Sequence, residues 1–168
     1  MSAAVIRPVT LADAPAIADI YSYYILHSIA TFETEPIGAA EMTERIVTAV
    51  PDYPYLVLEQ DGAVIGYSCV SPWKPRAAFY RSGEASIYLH HDHTRQGHGT
   101  RLFSALLERA ADYDLHCLIS GISLPNPGSE ALHRQVGFTH AGLMREIGHK
   151  FDRYIDIAYY QYLNTDAT

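Results

Sequence analysis

The sequence predicts an α/β domain in which a mixed sheet carries helices on both faces. Strand-like and helix-like segments follow one another in the order β-α-α-β-β-β-α-β-α-β-β. Consecutive strands indicate hairpins, and helices between strands indicate β-α-β crossovers, so one sheet is expected to hold both kinds of pairing. The 168 residues are 48% hydrophobic and show no repeat or low-complexity linker, which predicts a single domain over residues 1–168.

The first predicted elements are a short strand and a capped helix. The segment AVIRPV is typical of a strand. Thr10 then stands as the N-cap of a helix, with Asp13 as its acidic N3 residue and Pro15 in its first turn. The core face of this helix recurs with a period near 3.6 residues and comprises Ile17, Ile20, Tyr21 and Tyr24.

A second helix and a hairpin are expected next. The segment GAAEMTERIVTAV is amphipathic and ends near Pro51, because proline disfavours helix in the residue before it. The run YLVLEQDGAVIGYSCVSP holds two strands joined by Asp61-Gly62, a dipeptide that favours a tight hairpin turn. WKPRAAFYRSG then predicts a loop, and EASIYLH predicts another strand.

The second half of the chain predicts a β-α-β unit, a short helix and two final strands. GHGTRLFSALLERAADY is a helix with Leu102, Leu106 and Ala110 on one face, and the strand CLISGIS follows it. NPGSEALHRQVGF is a short helix, for which Gly137 suits the position just past the C-terminus. The tail AGLMREIGHKFDRYIDIAYYQYL divides into two strands with a polar connection.

Composition and charge argue against several classes of protein. The net charge of −7 disfavours a general nucleic-acid binder, which normally carries a basic face. No apolar run approaches the ~20 residues of a membrane span, and MSAAVIRPVT lacks the pattern of a signal peptide. Cys69 and Cys117 lie in apolar strand-like runs, which predicts buried free thiols and a reducing, cytoplasmic setting.

The segment HHDHTRQGHGTRLFSALLERA, residues 90–110, holds the clearest candidate for a ligand site. Its Gly97-His98-Gly99 turn lies between a predicted strand and a predicted helix. Backbone N–H groups at a helix start suit phosphate oxygens, and Arg95 and Arg101 are placed to add charge-assisted bonds. A purely structural turn accounts for a lone Gly-x-Gly equally well. The P-loop and dinucleotide motifs fit badly, because the Gly-Lys-Ser/Thr and the third glycine are missing.

The histidines of the same segment raise the question of a metal site. His90, His91, His93 and His98 are close in sequence, but zinc sites usually add cysteine or carboxylate ligands at ordered spacing. Adjacent side chains of a strand point to opposite faces, which separates His90 from His91 if the strand continues. The chain contains no His-Glu-x-x-His motif. We therefore expect no functional metal.

Three segments taken together resemble the GNAT superfamily of N-acetyltransferases: IRPVTLADAPAIADIY, GEASIYLHHDHTRQGHGTRLFSALL and LISGISLPNPGSEALHRQVGF. In that superfamily a Gln/Arg-x-x-Gly-x-Gly/Ala turn holds the pyrophosphate of acetyl-CoA. Thr94-Arg95-Gln96-Gly97-His98-Gly99 matches both glycines, whereas Thr94 departs from Gln/Arg and His98 replaces an apolar residue. The resemblance implies a GNAT-type fold with a mixed, mostly antiparallel sheet. It also implies acetyl-CoA as co-substrate.

A closer resemblance, to the phosphinothricin N-acetyltransferases, covers nearly the whole chain. TFETEP, PYLVLEQDGAVIGYSCVSPWKPRAAF, GISLPNPGSEALHRQVGF and GHKFDRYIDIAYYQ carry it. Those enzymes acetylate the α-amine of phosphinothricin or methionine sulfoximine. The resemblance therefore implies a small amino-acid-like substrate, direct attack in a ternary complex, and a homodimer with the last strands near its interface. Detoxification of an inhibitor and housekeeping acetylation stay open as the biological role.

Two acid–base residues follow from the resemblance. Glu84, at the start of the strand before the glycine turn, matches the family's catalytic glutamate, although an exposed strand-start acid accounts for it equally well without the resemblance. Partial burial would raise its pKa toward a useful range. His133, in the last core helix, is expected to protonate the CoA sulfur or to help deprotonate the amine. Its alternative role is packing on the core.

Residues for the cofactor are also expected from the resemblance. The main chain of Ile87 and Leu89 would pair with pantetheine, and an N–H near Tyr88 or Leu89 would stabilise the oxyanion. Asn126 matches an asparagine that bonds CoA, although a simple turn or N-cap role is plausible. The full predicted set is Ile87, Tyr88, Leu89, Thr94, Arg95, Gln96, Gly97, His98, Gly99, Thr100, Asn126 and Ser129.

Acceptor residues are predicted in three groups. Arg76 and Lys74 are placed to clamp a carboxylate or phosphinate group, with Trp73 and Phe79 as walls. The second group follows the first helix, and the third lies near the final hairpin. These two groups are Phe32, Glu33 and Thr34, and then Tyr154, Arg153 and Lys150.

Two other functions stay open at this point. An enzyme of the same fold could acetylate a peptide or protein N-terminus, or another small amine such as arsinothricin, although Trp73, Lys74 and Arg76 favour a small anionic amino acid. A non-catalytic acyl-CoA sensor would keep the glycine turn and lose the acid–base residues. The presence of Glu84 and His133 disfavours the sensor.

Overall fold

A computed structural model describes residues 3–165 of the chain. Within that range it contains seven β-strands and four α-helices, in the order that the sequence predicts. Their bounds are β1 (Val5–Pro8), α1 (Ala14–His27), α2 (Ala39–Ala49), β2 (Tyr55–Gln60), β3 (Ala63–Pro72), β4 (Ser82–Leu89), α3 (His98–Ala110), β5 (Cys117–Ser123), α4 (Pro127–Gln135), β6 (Thr139–Lys150) and β7 (Arg153–Leu163).

The strands form one sheet in the order β1-β2-β3-β4-β5-β7-β6. β4 and β5 run parallel, and the other five neighbouring pairs run antiparallel. The parallel pair needs a crossover connection, which α3 supplies. The predicted mixed, mostly antiparallel sheet is therefore confirmed.

Helices cover both faces of the sheet because each face of the strands is apolar. On one face α3 buries Leu102, Phe103 and Leu106 against the sheet. On the other face α1 buries Ile17 and Ile20, and α2 joins the same cluster. Each fully buried side chain of this size contributes about 1.5–3 kcal/mol. The two clusters hold the sheet between them and fix the positions of its strand ends.

The predicted capping box at the start of α1 is present. The backbone N–H of Thr10 donates to Asp13 Oδ2 at 2.7 Å, and a short 3₁₀ turn leads into the helix. Arg7 adds two hydrogen bonds of 2.8 Å to the same carboxylate. The Arg7 guanidinium holds the pKa of Asp13 below its ordinary value. Local polar chemistry thus fixes where β1 ends and α1 begins.

The parallel ladder between β4 and β5 ends early. Its last pair is Glu84 with Ile119, so β4 continues beyond this point without a partner on that side. The hydroxyl of Ser120, on a residue that is only 2% exposed, donates to the Ala85 carbonyl oxygen at 2.8 Å just past the last pair. A side chain therefore satisfies the carbonyl that the separated strand leaves behind.

β6 contains a bulge near its far end. Met144 pairs with Ile157, and the next regular pair is Gly148 with Ile155. This stretch of β6 therefore contains two more residues than the facing stretch of β7. The N–H of Glu146 donates to Asp156 Oδ1 at 2.7 Å and fixes the bulge. Bulges of this kind bend a strand, and here the bend precedes the last three residues of β6.

Two smaller expectations concern membranes and thiols. None of the helices within residues 3–165 is long and apolar enough to cross a bilayer. Cys69 and Cys117 are both free thiols, and both are partly exposed rather than fully buried.

Candidate active site

A cavity of about 1450 Å³ opens where β4 and β5 separate. Its lining comes from both faces of the sheet. The N-terminal ends of α3 and α4 bound it on one side, and α1, α2 and the segment after α1 bound it on the other. Ligands of α/β proteins favour such gaps at the ends of parallel strands.

The side chains of β4 divide between the two sides of this cavity. Ala85, Ile87 and Leu89 pack with the α3 cluster, whereas Tyr88 packs with the α1–α2 cluster. Successive side chains of a strand alternate between faces. Glu84 therefore lies on the α1–α2 face, and the glycine turn at the start of α3 lies on the opposite one.

The main chain of β4 offers hydrogen-bonding groups to the gap. The Arg81 carbonyl accepts from the Cys117 N–H, and the Ala85 carbonyl accepts from Ser120, so both point toward β5. Alternate residues point the same way, which directs the polar groups of Ile87 and Leu89 into the gap. The Leu89 carbonyl accepts from the Tyr24 hydroxyl at 2.6 Å. The remaining main-chain groups that face the gap are the N–H and carbonyl of Ile87 and the N–H of Leu89.

The same alternation separates two candidates for the oxyanion donor. The His90 N–H donates to the Ile65 carbonyl oxygen at 2.8 Å, so even-numbered residues of this segment direct their polar groups toward β3. Tyr88 pairs with Tyr67 across that ladder. The Leu89 N–H is therefore the better placed of the two predicted donors.

Glu84 is half-buried at the mouth of the gap. Burial raises the pKa of its carboxyl, and the nearby charge of Lys74 partly offsets that rise. Tyr159 lies on the same side, and its pKa is raised by burial and by the charge of Glu84. Trp73 meets the Tyr159 ring edge-on at 5.9 Å, and Lys74 Nζ lies 4.8 Å from the centre of the Trp73 ring. The group combines a half-buried acid, a cation and aromatic walls.

His133 lines the cavity from α4 and is 4% exposed. Its Nδ1 lies 2.7 Å from the carbonyl oxygen of Ser129. A carbonyl oxygen only accepts, so Nδ1 carries the proton, and Nε2 of the neutral ring is an acceptor. Burial lowers the pKa of His133. This geometry suits proton acceptance better than proton donation.

The glycine turn forms the opposite end of the cavity. Gly97 adopts φ +78° as the N-cap of α3, a left-handed conformation that glycine reaches without strain. Arg95 also has positive φ, +60°, and the Thr94 hydroxyl donates to the His91 carbonyl oxygen at 3.3 Å. The predicted residues of this turn that line the cavity are Thr94, Arg95, Gly97, Gly99 and Thr100.

Two predicted residues of the turn lie elsewhere. Gln96 is exposed and outside the cavity wall. His98 is 8% exposed and points away from the cavity, and neither of its ring nitrogens has a hydrogen-bond partner within residues 3–165. It occupies the first inward position of α3, one turn before Leu102, so helix geometry turns it toward the core.

Asn126 is the N-cap of α4, and both it and Ser129 line the cavity. The Asn126 side-chain oxygen accepts from the Ser129 N–H at 3.2 Å. Its amide NH₂ group carries two further donor hydrogens. The capping role and a ligand contact are therefore compatible in one side chain.

The predicted acceptor residues separate into two sets. Phe32 and Glu33 line the cavity, and Lys74 and Trp73 border it through Glu84 and Tyr159. Glu33 is already engaged, because Arg45 holds it with two hydrogen bonds of 2.7 and 3.0 Å and lowers its pKa. The other predicted acceptor residues lie outside the cavity wall: Thr34, Arg76, Arg153 and Tyr154 are exposed, Phe79 is partly exposed, and Lys150 is buried.

Several cavity residues have no counterpart in the sequence-based site. Helical periodicity predicts Tyr21 and Tyr24 to be core residues, yet both are partly exposed and line the cavity. Arg45, Ser120 and Tyr159 carry no local motif. Only the separation of β4 from β5 brings these residues to one cavity, and a linear pattern holds no signal for that separation.

The histidine-rich segment forms a small surface cluster beside the turn. Within residues 3–165, His90, His91 and Asp92 offer ligand atoms that lie within 4.8 Å of one another. All three are partly or fully exposed. The His91 ring stacks on Tyr23 at 4.0 Å, and the His90 Nδ1 accepts from the Asp92 N–H. These contacts account for the arrangement without an ion.

Comparison with known proteins places these features in a family. The acetyltransferase (GNAT) family matches residues 18–138. The phosphinothricin N-acetyltransferase of Streptomyces viridochromogenes is 35% identical over 156 residues, covering 93% of this chain and 85% of that protein. The L-methionine sulfoximine/L-methionine sulfone acetyltransferase of Pseudomonas aeruginosa is 35% identical over 165 residues, covering 97% and 95%.

A solved structure shows the same fold. The GNAT superfamily phosphinothricin acetyltransferase of Sinorhizobium meliloti, in complex with acetyl-CoA, matches with a TM-score of 0.92 and 36% sequence identity. The match covers 96% of this chain and 89% of that one. The similarity thus extends over nearly the whole chain.

Proposed function

The chain belongs to the GNAT family of acetyltransferases, and we propose that it moves the acetyl group of acetyl-CoA to the α-amine of a small amino-acid-like substrate such as phosphinothricin or methionine sulfoximine. One observation carries the proposal. A single cavity holds a half-buried carboxylate, Glu84, on one face of the sheet and a glycine turn at a helix N-terminus on the other.

Acetyl-CoA fits this cavity from the α3 side. The pyrophosphate would accept hydrogen bonds from backbone N–H groups at the Gly97–Gly99 turn, with the positive end of α3 behind them. Pantetheine is peptide-like, so it would pair with the gap-facing N–H and carbonyl of Ile87 as an added strand, which leaves the Leu89 N–H for the thioester oxygen. The Asn126 amide is free to donate to the same chain. When bound, acetyl-CoA supplies the thioester that is attacked.

The acceptor would approach from the α1–α2 side, where Glu84 lies. Glu84 takes a proton from the ammonium form of the substrate, directly or through water, and leaves a neutral amine. The amine nitrogen then forms a bond to the thioester carbonyl carbon, and the C–S bond breaks to release the thiolate. The Leu89 N–H is placed to donate to the developing oxyanion.

His133 is the second acid–base candidate in this mechanism. With its Nδ1–H held by Ser129, the neutral ring has only Nε2 with which to exchange a proton. Nε2 would accept the proton that the amine loses on attack, and the resulting imidazolium would return a proton to the thiolate. Lys74 would face the negative groups of the acceptor, and Trp73 and Tyr159 would bound its side chain.

The proposal extends to the setting of the enzyme. We infer a single-domain cytoplasmic protein whose two cysteines stay reduced. We also infer a homodimer, because several large apolar side chains of β6 and the turn after it are exposed, and their burial against a second copy would be favourable. These side chains are Leu143, Met144, Ile147 and Phe151. Resistance to amino-acid-like inhibitors is the biological role that such an activity supports.

Thiol release from acetyl-CoA tests the proposed function. The purified protein is assayed with phosphinothricin, methionine sulfoximine, arsinothricin, free methionine and short peptides. Turnover should be highest with a free amino acid that bears an anionic or strongly polar side-chain group. Faster turnover of peptides would favour an N-terminal acetyltransferase instead. Tight acetyl-CoA binding without turnover of any amine would favour a non-catalytic sensor.

A further inference from the structure

The segment between α1 and α2 forms part of the acceptor side of the cavity. Its residues 28–33, called here the α1 loop, include Ala30, Thr31, Phe32 and Glu33, which all line the cavity. The Ala30 carbonyl accepts from the Tyr88 hydroxyl at 3.3 Å, on the same face of the sheet as Glu84. The α1 loop lacks regular secondary structure, so contacts from elsewhere must fix its shape.

One of these contacts comes from Lys150, the last residue of β6. Its Nζ donates to the carbonyl oxygens of Ser28 and Thr31, both at 2.8 Å. The residue is 5% exposed, and within residues 3–165 no carboxylate lies within 4.0 Å of its nitrogen. Burying an ammonium group without a counter-ion is costly. Two backbone carbonyls of the α1 loop offset that cost, so they are tied to this position.

A second contact comes from Gly148, two residues earlier. The ring of Phe32 lies directly over the Cα of Gly148, and a Cβ at position 148 would overlap three carbons of that ring. The space that glycine leaves is thus filled by the Phe32 side chain. The overlapping atoms belong to the far end of a side chain, so an added methyl group would displace the ring and spare the backbone of β6.

The bulge in β6 explains how a distant strand reaches the α1 loop. It lies between Met144 and Gly148, and it bends the strand just before the two contact residues. Lys150 and Gly148 are separated from the α1 loop by more than 110 residues of sequence. Without the bend, the end of β6 would continue along the sheet edge.

We propose that Gly148 and Lys150 are positioning residues that hold the Phe32 wall of the acceptor pocket. Lys150 fixes the backbone of the α1 loop, and Gly148 admits the ring, so the pair sets how far Phe32 projects toward Glu84. The inference rests on the proposed acetyltransferase function. It assigns the β6 end to acceptor binding and leaves acetyl-CoA binding, on the opposite face, independent of it.

The two substrates of the reaction make this inference testable. Gly148→Ala should raise the KM for the amine by about tenfold or more, since misplacing a binding group by ~1 Å costs up to about 10² in rate. The KM for acetyl-CoA should stay within about twofold of the unchanged protein. Gly142→Ala is the matched control, because it lies in the same strand and its new Cβ meets nothing within 4 Å. It should leave both constants unchanged.

Lys150 is tested with two variants. Lys150→Met keeps the length and removes the donors, so it should raise the amine KM, whereas Lys150→Arg keeps a charged donor and should restore part of the affinity. Melting temperatures of all variants separate positioning from unfolding. The inference would be overturned if the KM for the amine were the same in Gly148→Ala as in Gly142→Ala. Equal rises in the two KM values would also overturn it. Failure of the unchanged protein to acetylate any amine would instead overturn the proposed function.

Discussion

At the scale of single residues, the burial of Glu84 opposes its ionisation, which fits a role in catalysis. Burial raises the pKa of its carboxyl, so the ionised form is less favourable in the folded chain than in water. Gln at this position would carry no such cost. A residue that destabilises the fold and lines a cavity is typical of an active site.

Glu84→Gln should lower kcat/KM by about 10²–10⁴, the usual contribution of a positioned general base. The base acts only when ionised, so the activity of the unchanged enzyme should fall as the pH drops through the raised pKa of Glu84. The variant should lose that limb of the profile. Thiol release measured between pH 5 and 9 gives both results.

A matched control separates catalysis from charge in general. Glu35→Gln removes an exposed carboxylate outside the cavity and should leave the rate unchanged. The melting temperature of Glu84→Gln should equal or exceed that of the unchanged enzyme, because a buried charge has been removed. Full activity in Glu84→Gln would show that another group, with His133 first, is the base.

His98 is a residue whose burial has no compensation. Both ring nitrogens are buried without a partner among the described residues, which costs roughly 1–3 kcal/mol. His98→Leu fills the same inward position of α3 with an apolar side chain. It should raise the free energy of unfolding by about 1 kcal/mol, which corresponds to a melting temperature higher by roughly 2–4 °C in a chain of this size.

The pH dependence of that gain follows from linkage. Burial, then the charges of Arg101 and His93, lower the pKa of His98 below 6.5 in the folded chain. The unfolded state then binds more protons as the pH falls through 6.5, so the stability of the unchanged protein drops there. The difference between His98→Leu and the unchanged protein should therefore grow between pH 7.5 and 5.5. Thermal unfolding at both pH values measures it, and a Leu variant less stable at either pH would contradict the account.

At the scale of elements, periodicity predicted every strand and helix but not how the strands meet. The alternation of apolar residues identifies β4 and β5, and the spacing of Leu102 and Leu106 identifies α3. The end of the β4–β5 ladder at Glu84 depends on contacts between segments more than 30 residues apart. The bulge in β6 likewise depends on Asp156, which lies in another strand. Neither feature leaves a repeating pattern in the sequence.

The same limit explains which site residues were predicted. The glycine turn is local, so its chemistry was readable from strand, turn and helix signals. Tyr21 and Tyr24 follow the same helical period as true core residues. They line the cavity because the sheet opens between β4 and β5 beneath them. Tyr154 is close in sequence to cavity residues of β7, but it lies on the outer hairpin and is 69% exposed.

The point where the strands part gives a prediction for Ser120. Its hydroxyl satisfies the buried Ala85 carbonyl, and Ser120→Ala would leave that oxygen unpaired. The variant should lose about 1–2 kcal/mol of unfolding free energy in urea titrations, in line with the usual cost of a buried unpaired acceptor. Ser104→Ala, at a partly exposed position of α3, should change it by less than about 0.5 kcal/mol. Equal losses in both variants would count against this role for the hydroxyl.

At the scale of the whole molecule, the β6–β7 hairpin joins two roles. Its inner side holds the α1 loop through Gly148 and Lys150. The same hairpin exposes Leu143, Ile147 and Phe151 to solvent, each at least half exposed. Water is a poor environment for so many large apolar side chains on one hairpin. Covering these side chains with a second copy would also steady the bend on which the acceptor wall depends.

A measurement of the oligomeric state therefore tests whether the hairpin forms a dimer interface. The unchanged protein should run at twice its chain mass of 18.7 kDa in light scattering after gel filtration. Leu143→Glu with Ile147→Glu places two charges in the proposed contact and should yield particles of the single-chain mass, because unpaired charges at a buried interface are strongly unfavourable. Val47→Glu makes the same kind of change at an exposed site on α2 and should leave the dimer intact. A single-chain mass for the unchanged protein at micromolar concentration would remove the dimer, while persistence of the dimer in the double variant would move its interface elsewhere.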